Sequence, residues 1–542
     1  MQKKPESSDL QVTLLAPAYP EKDPQSRRTQ VRMLGKWLNK QRIGLLLGPL
    51  LFLLVVAWPT PQSMQDAVNY IETVDPANPV NLPDRAPQIA LGTLLWVLTW
   101  WVAECVPLGI AALVPPMVFC MTSIVAWKTA LGAFMDPIIW IFMAGFVLAA
   151  AFRKWDLDRR IAIKLGLIYK GSNPMVAAFF VAALPVFILT LTGSITAATS
   201  VVFPFLIAYL SMTGVKAGGR YSEATMLVLA QAATAGAMLL LISTPPNLIA
   251  KTTVEELDPM GRELTFLGWL LIGTPHALIG LFITWIVVFK VLKPEDKVVK
   301  ADREKMCAVE RQCGRMSRGE IAVFGLLIMA ITLWIVPSAV KALATYNASL
   351  DGLASDLAKI MPEAMPAVLV ILLAGLIRIK REPLLKWDEL ARGIDWNVVF
   401  LFGGGIALGV GLEYSGFAHW LADGVGNALG DHSSAWTIFA VSCLLGFVLS
   451  YAASNTAAAL ITCPIAATLA QGAGLSVIPP IIGAALACSI SSAIPSTTPP
   501  MAIVYSSGYV KIWTMFKVGI IADLLRLSAL VILGPLLIGL VY

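Results

Sequence analysis

At 542 residues, with 57% hydrophobic and only 14% charged side chains and a mean hydropathy of +0.75, the chain lies far outside the range of soluble domains. Its formal charge of +6 does not point to nucleic acid, because membrane proteins carry an excess of Lys and Arg on the cytoplasmic side. The cysteines are scattered, with Cys105, Cys120, Cys443, Cys463 and Cys488 in apolar runs and Cys307 and Cys313 in a polar loop, and their spacing suggests neither a metal site nor a disulfide framework.

Residues 1–30, polar and rich in Pro and Ser, read as a disordered cytoplasmic tail. The basic stretch Arg27 to Arg42 and the apolar run Ile43 to Trp58 follow the order of a signal peptide. The polar stretch ahead of the run is long and no small-residue cleavage site precedes Pro59, so 42–58 reads as a first transmembrane helix. Further apolar runs lie near 89–104, 107–124, 137–153, 174–193, 197–212, 223–242, 265–292, 319–337, 363–377, 397–413, 435–453, 457–472, 477–494 and 514–541. A span of a hydrocarbon core about 30 Å thick takes about 20 residues, and not all these runs are simple spans.

Short-loop charge sets the orientation. The loops at 153–160, 216–220, 290–318 and 378–392 are basic and are placed inside, whereas 59–87 and 338–362 are acidic or nearly neutral and are placed outside. The threading closes only if 174–193 and 197–212 form a re-entrant hairpin from the inside, and 435–453 and 457–472 one from the outside. An all-α polytopic protein of about eleven transmembrane helices, two re-entrant hairpins and two broken helices follows, with a cytoplasmic amino end and an external carboxyl end in a cell (inner) membrane.

An internal repeat supports the same layout. Trp127 and Trp387, Ile141-Phe142 and Leu401-Phe402, Ala162 and Ala422, Ser194 and Ser454, Thr196 and Thr456, and Pro204 and Pro464 all recur at one offset. Arg153, Lys154, Arg159 and Arg160 follow the first copy of the span, while Glu413 and no Lys or Arg follows the second, so the copies are inverted. Inverted repeats place substrate and ion sites near the bilayer midplane, where discontinuous helices meet.

Four interruptions satisfy that expectation. The hairpin tips read Thr192-Gly193-Ser194-Ile195-Thr196 and Ala453-Ser454-Asn455-Thr456, and the broken helices read Ser243-Thr244-Pro245-Pro246-Asn247 and Thr497-Thr498-Pro499-Pro500-Met501. Paired prolines remove amide donors and unwind a helix, which membranes tolerate only against protein or a water-filled cavity. Freed carbonyls can hold a cation, helix amino ends and hydroxyls an anion. Ser, Thr, Gly and Pro also serve as packing and kink residues in membrane helices, but two repeat-related pairs argue for a site. Asp136, Asp395, Glu104 and Glu413 lie near span ends, where solvated or capping roles are expected, and the dispersed His276, His419 and His432 are read as structural.

At these residues the chain resembles the divalent anion/sodium symporter family, the INDY-type dicarboxylate and citrate carriers, over roughly 40–541. The resemblance rests on the Ser454-Asn455-Thr456 tip, its partner at Ser194 to Thr196, the two Pro-Pro breaks and the Pro204/Pro464 pair. It implies a homodimer in which a mobile transport domain moves against a scaffold as an elevator. It implies substrate contacts at Ser194, Thr196, Ser454, Asn455, Thr456, Thr498 and Pro499. It also implies a sodium site at Ser450, Ala453, Asn455 and Thr497, and a second at Thr190, Ser194, position 195 and Ser243.

Two departures bear on coupling: Ile195 stands where the family has Asn, and Met501 where the first break keeps Asn247. An isoleucine side chain offers no oxygen, so the site at Thr190, Ser194 and Ser243 is expected to be altered and coupling to change to fewer sodium ions, protons or anion exchange. The implied domains are a tail at 1–40, scaffold helices at 41–125, a first repeat core at 126–260 with hairpin 174–212 and broken helix 223–257, and scaffold helices at 261–385 with a cytoplasmic loop at 293–318. A second core at 386–512, with hairpin 434–472 and broken helix 477–511, and a last helix at 513–542 complete them. Na+ is the one cofactor implied, with no organic cofactor. The partners are a small carboxylate anion, the lipid bilayer and a second copy of the chain.

A membrane enzyme would need a nucleophile or metal constellation, and there is no HExxH, no clustered His and no Ser-His pair that the repeat frame brings together. A carrier for sulfate, sulfonates or another inorganic oxyanion stands as the alternative to a dicarboxylate carrier. No nucleotide-binding motif is evident, which points to secondary transport.

Overall fold

The computed structural model describes residues 24–74, 82–295, 313–344, 346–429 and 434–542, with isolated positions between 298 and 311. Nine of its described helices are long and apolar enough to cross a membrane, or up to eleven if each of two bent pairs is one span. Three of the nine, Pro174–Thr192, Ile195–Met212 and Ala435–Ala452, are hairpin arms. The first helix, Pro24–Ala57, begins earlier than the apolar run, within what composition reads as tail, and the reading of residues 1–23 lies outside the described residues. His432 also lies outside them.

The repeat is visible element by element. Trp127 and Trp387 open the short helices Trp127–Gly132 and Trp387–Gly393, and Asp136 and Asp395 cap the long helices Pro137–Lys154 and Trp396–Tyr414. Asp136 accepts from the Ile138 amide at 2.8 Å, and Asp395 from the Asn397 amide at 3.1 Å, so both acids serve as caps. Ala162 and Ala422 lie in the helices Leu157–Gly166 and Phe417–Leu429 that lead toward each hairpin. Both hairpins are helical, with Pro204 and Pro464 inside their returning arms.

The broken helices appear where the proline pairs predict them. The first runs Arg220–Gly236, then a break, then Pro245–Leu257; the second runs Ile478–Cys488, then a longer break, then Pro499–Ser506. Thr244 (φ −156°, ψ 150°) and Thr498 (φ −144°, ψ 148°) are extended, as a residue before proline must be, and each proline pair restarts the helix at positions where a missing amide costs nothing.

Two segments placed in loops by their charge are helical. Gln62–Val74 and Asp351–Ile360 are short helices joined at bends of 87° and 48° to the membrane helices beside them. Their mix of polar and apolar residues suits an interface rather than the hydrocarbon core.

Packing between the repeats is crosswise. The returning arm of the first hairpin, Ile195–Met212, lies against Pro499–Ser506 of the second break, and Asn455–Gly472 lies against Pro245–Leu257 of the first. Polar links tie the ends of these contacts. Gln471 Nε2 donates to the Leu257 carbonyl at 3.1 Å, and Arg262 Nη2 donates to Ser476 Oγ at 3.1 Å. Hydrogen bonds from Arg262 hold the Asp258 carboxyl below the usual carboxylate range.

The first hairpin turns at Gly193 with φ +92°, a conformation that L residues rarely adopt, and an added Cβ there would sit 3.0 Å from the Gly145 Cα of the neighbouring helix. Gly214 has φ +68° but open space around it. Gly193→Ala is expected to destabilise the protein by about 2–4 kcal/mol and Gly214→Ala by about 1 kcal/mol, read as a larger fall in detergent melting temperature for the former.

Candidate substrate and cation site

The four interruptions generate four helix amino ends, at Ile195, Asn455, Pro245 and Pro499, and the residue capping each is Ser194, Ser454, Thr244 and Thr498 in turn. Every cap therefore carries a hydroxyl. Ser194 Oγ accepts from the Ala197 amide at 3.1 Å and Ser454 Oγ from the Ala457 amide at 3.2 Å, one geometry repeated in both tips. Exposure repeats as well: Ser194, Thr196, Ser454 and Thr456 are half-buried, whereas Ile195 and Asn455 are each 9% exposed and face inward.

The second proline of each pair has no amide to give a cap, and the Asn247 and Met501 amides bond the carbonyls of Thr244 and Thr498, so neither Thr hydroxyl makes a capping bond. The Thr498 hydroxyl, on a residue 3% exposed, has no hydrogen-bond partner among the described residues. A buried donor without a partner is costly unless something else satisfies it, so this hydroxyl suits a ligand oxygen. Pro499 stands beside it at the start of its helix.

Each hairpin tip is joined to the break of its own repeat. In the first repeat the Thr190 carbonyl accepts from Ser243 Oγ at 3.2 Å, and Thr190 Oγ1 donates to the carbonyls of Phe187 (2.7 Å) and Gly236 (3.1 Å). The Asn247 amide donates to the carbonyls of Ala237 (2.7 Å) and Leu240 (2.8 Å), clamping the unwound segment. In the second repeat Asn455 Oδ1 accepts from Ser491 Oγ at 3.2 Å, Ser450 Oγ donates to the Phe447 carbonyl at 2.9 Å and Thr497 Oγ1 to the Ile494 carbonyl at 2.8 Å. Ala453 is the extended residue that closes helix Ala435–Ala452. The structure thus brings Thr190, Ser194 and Ser243 to one tip and Ser450, Ala453 and Asn455 to the other, with Thr497 in the adjoining break.

Ile195 changes more than one side chain. Its carbonyl accepts from Thr199 Oγ1 at 2.8 Å, and the side chain belongs to the apolar core. Counting back by the same interval from Thr244 and Thr498, Ala237 stands where the second repeat has Ser491, the partner of Asn455. The first repeat therefore lacks both members of the polar pair.

Two residues that sequence reading passed over stand directly behind this site. Asp523 and Arg526, on the last helix Ile512–Gly539, are 0% and 3% exposed. Their signal was present as the only Asp and Arg in a long apolar helix three residues apart. His276 is buried with Nδ1 2.8 Å from the Ile272 carbonyl, and His419 stacks on Tyr70 with ring centroids 3.9 Å apart, both in structural settings. Among the described residues there is no group of three or more His, Cys, Asp or Glu placed to hold a metal ion through those side chains, so a cation here would be held by hydroxyl, amide and carbonyl oxygens.

A family model described as the sodium:sulfate symporter transmembrane region matches residues 76–540. The chain belongs to that family. It is 27% identical over 502 residues to the sodium-dependent dicarboxylate transporter SdcS of Staphylococcus saprophyticus, covering 91% of this chain and 90% of that protein. To SdcS of a Staphylococcus aureus strain it is 28% identical over 504 residues, with coverage of 91% and 90%. Among solved structures, MtrF of Neisseria gonorrhoeae, described as one of a class of antimetabolite efflux pumps, aligns with a TM-score of 0.49 at 12% identity. That alignment covers 86% of this chain and 96% of MtrF, a likeness too weak to bear on function. Membership in a transporter family, the broken helices and the inverted repeat agree on an inverted-repeat membrane transporter of the divalent anion/sodium symporter type.

Ile195→Asn alone is expected to lower stability by about 1–3 kcal/mol, because the buried amide gains no hydroxyl partner. Adding Ala237→Ser is expected to restore at least half of the lost melting temperature, measured on the detergent-purified protein.

Proposed function

We propose that the protein is a secondary active carrier of small di- or tricarboxylate anions of the succinate, fumarate and malate kind, coupled to sodium through the Asn455 site. The observation that carries this reading is the set of four helix amino ends, each capped by Ser or Thr and packed crosswise across the two repeats. Positive helix ends and neutral hydroxyls bind an anion without burying a fixed positive charge beside it, which suits a substrate that must also leave. Relatives named as sodium-dependent dicarboxylate transporters support the choice of substrate and ion.

In this reading Ser194, Thr196, Ser454, Asn455, Thr456, Thr498 and Pro499 contact the substrate. Sodium binds at Ser450, Ala453, Asn455 and Thr497, while the site at Thr190, Ser194 and Ser243 is altered by Ile195 and carries a weaker ion or none. Transport proceeds by elevator-type alternating access in a homodimer. The hairpins and broken helices move as one body against helices 41–125 and 261–385, and the amino end is cytoplasmic and the carboxyl end external. The family takes its name from sodium:sulfate symporters, so an oxyanion substrate is the second reading.

Uptake of labelled succinate into proteoliposomes, with an inward sodium gradient and with or without internal dicarboxylate, tests the proposal. Saturable uptake that rises with external sodium and is displaced by fumarate and malate but not by sulfate is expected. Displacement by sulfate alone would replace the carboxylate reading with the oxyanion one, and uptake that ignores sodium but needs internal dicarboxylate would replace symport with exchange. Thr498→Val is expected to raise the succinate KM by about tenfold, the effect of losing one hydrogen bond of about 1.4 kcal/mol to a charged ligand, with little change in folded yield.

A further inference from the structure

Helix Ile512–Gly539 lies directly against the second break. An added Cβ at Gly519 would sit 2.4 Å from the Ala493 Cα, so only a glycine permits this approach. One turn later Asp523 enters the break with no exposure to solvent. Its carboxylate accepts from the Ser492 amide at 2.6 Å, from Ser492 Oγ at 2.6 Å and from the Tyr451 hydroxyl at 2.5 Å.

Both of its partners adjoin the cation site in sequence. Tyr451 follows Ser450, and Ser492 follows Ser491, whose hydroxyl holds the Asn455 amide oxygen at 3.2 Å. The charge is balanced from the same helix. Arg526 Nη1 lies 3.8 Å from Asp523 Oδ1 and donates to the Ile490 carbonyl (3.2 Å) and to Thr234 Oγ1 (3.0 Å) of the first broken helix, and Nη2 donates to the Thr234 carbonyl at 3.2 Å. A buried acid inside a membrane protein is expensive to keep and calls for a role.

The first repeat shows the contrast. Counted from the proline pairs, Trp269 holds the place of Asp523 and Met238 that of Ser492, and Trp269 Nε1 donates to the Met238 carbonyl at 3.1 Å. The brace is thus built twice, neutral in the repeat that carries Ile195 and charged in the repeat that carries Asn455.

We propose that Asp523, balanced by Arg526, is a positioning residue for sodium at the second cation site. It fixes the segment 489–498 and the end of helix Ala435–Ala452 so that oxygens of Ser450, Asn455 and Thr497 face the ion. The inference rests on the reading of that site as a sodium site. The test is sodium-dependent thermal stabilisation of the purified full-length protein without substrate, titrated with NaCl against choline chloride, together with the sodium dependence of succinate uptake.

Asp523→Asn is expected to raise the sodium concentration for half-stabilisation and half-maximal uptake by about tenfold, while the succinate KM at saturating sodium stays within about twofold. Tyr451→Phe and Ser492→Ala, which each remove one donor and leave the charge pair, are expected to give shifts of about twofold to fivefold in the same direction, and they serve if Asp523→Asn fails to fold. Trp269→Phe is expected to leave the sodium response unchanged. A wild-type protein that sodium does not stabilise would overturn the sodium site and the inference together. A wild-type response that these variants retain at unchanged sodium concentrations, with only yield or melting temperature reduced, would overturn the positioning role and leave the sodium site standing.

Discussion

The architecture depends on one constraint: backbone amides and carbonyls freed inside a bilayer must be satisfied by protein, because lipid offers nothing in return. Two proline pairs free such groups, and the rest of the fold is arranged around covering them. Thr190 and Ser243 meet over the first break, Asn247 clamps two of its carbonyls, and the hairpin tips close on segments that could not survive against lipid. A hairpin with a polar tip is equally unstable alone against lipid, so tips and breaks supply each other's missing partners. In the reading proposed above, function follows from the geometry of that mutual cover, since the same hydroxyls and helix ends that satisfy the backbone are the ones offered to the anion.

The two repeats agree in frame and differ in chemistry. Caps, turns and exposure match from tip to tip, yet the interior of the first copy holds Ile195, Ala237, Asn247 and Trp269 where the second holds Asn455, Ser491, Met501 and Asp523. Polarity is redistributed, not lost: the first break is held by an amide on its outer helix, the second by a carboxylate from the neighbouring helix. Under the proposed function, such a pair of half-sites would treat a cation unequally while treating the two ends of a dicarboxylate alike.

Much of the frame was legible because its markers are residues with little conformational choice. The prolines at 245–246 and 499–500 dictate where helices break, and Trp127, Ser194 and Pro204 recur at a constant interval in the second copy. Loop charge placed the hairpins but hid Gln62–Val74 and Asp351–Ile360, since an interfacial helix and a loop have similar composition. Crosswise packing was not legible, because hydrophobicity tells a helix that it is buried and not by which partner. Asp523 was missed because one acid in a long apolar run reads as a tolerated charge until its partners Ser492 and Tyr451, distant in sequence, are known.

Crosswise packing also has a consequence for biogenesis. Pro245–Leu257 finds its cover in Asn455–Gly472, and Ile195–Met212 finds part of its own in Pro499–Ser506, so the first half of the chain cannot be completed from its own residues. At translation rates of about 5–20 residues per second, the first hairpin waits on the order of tens of seconds before its partner emerges. During that interval its polar tip and unwound neighbour need shelter from lipid, which makes the insertion machinery, or an associated chaperone, a temporary stand-in for the second repeat.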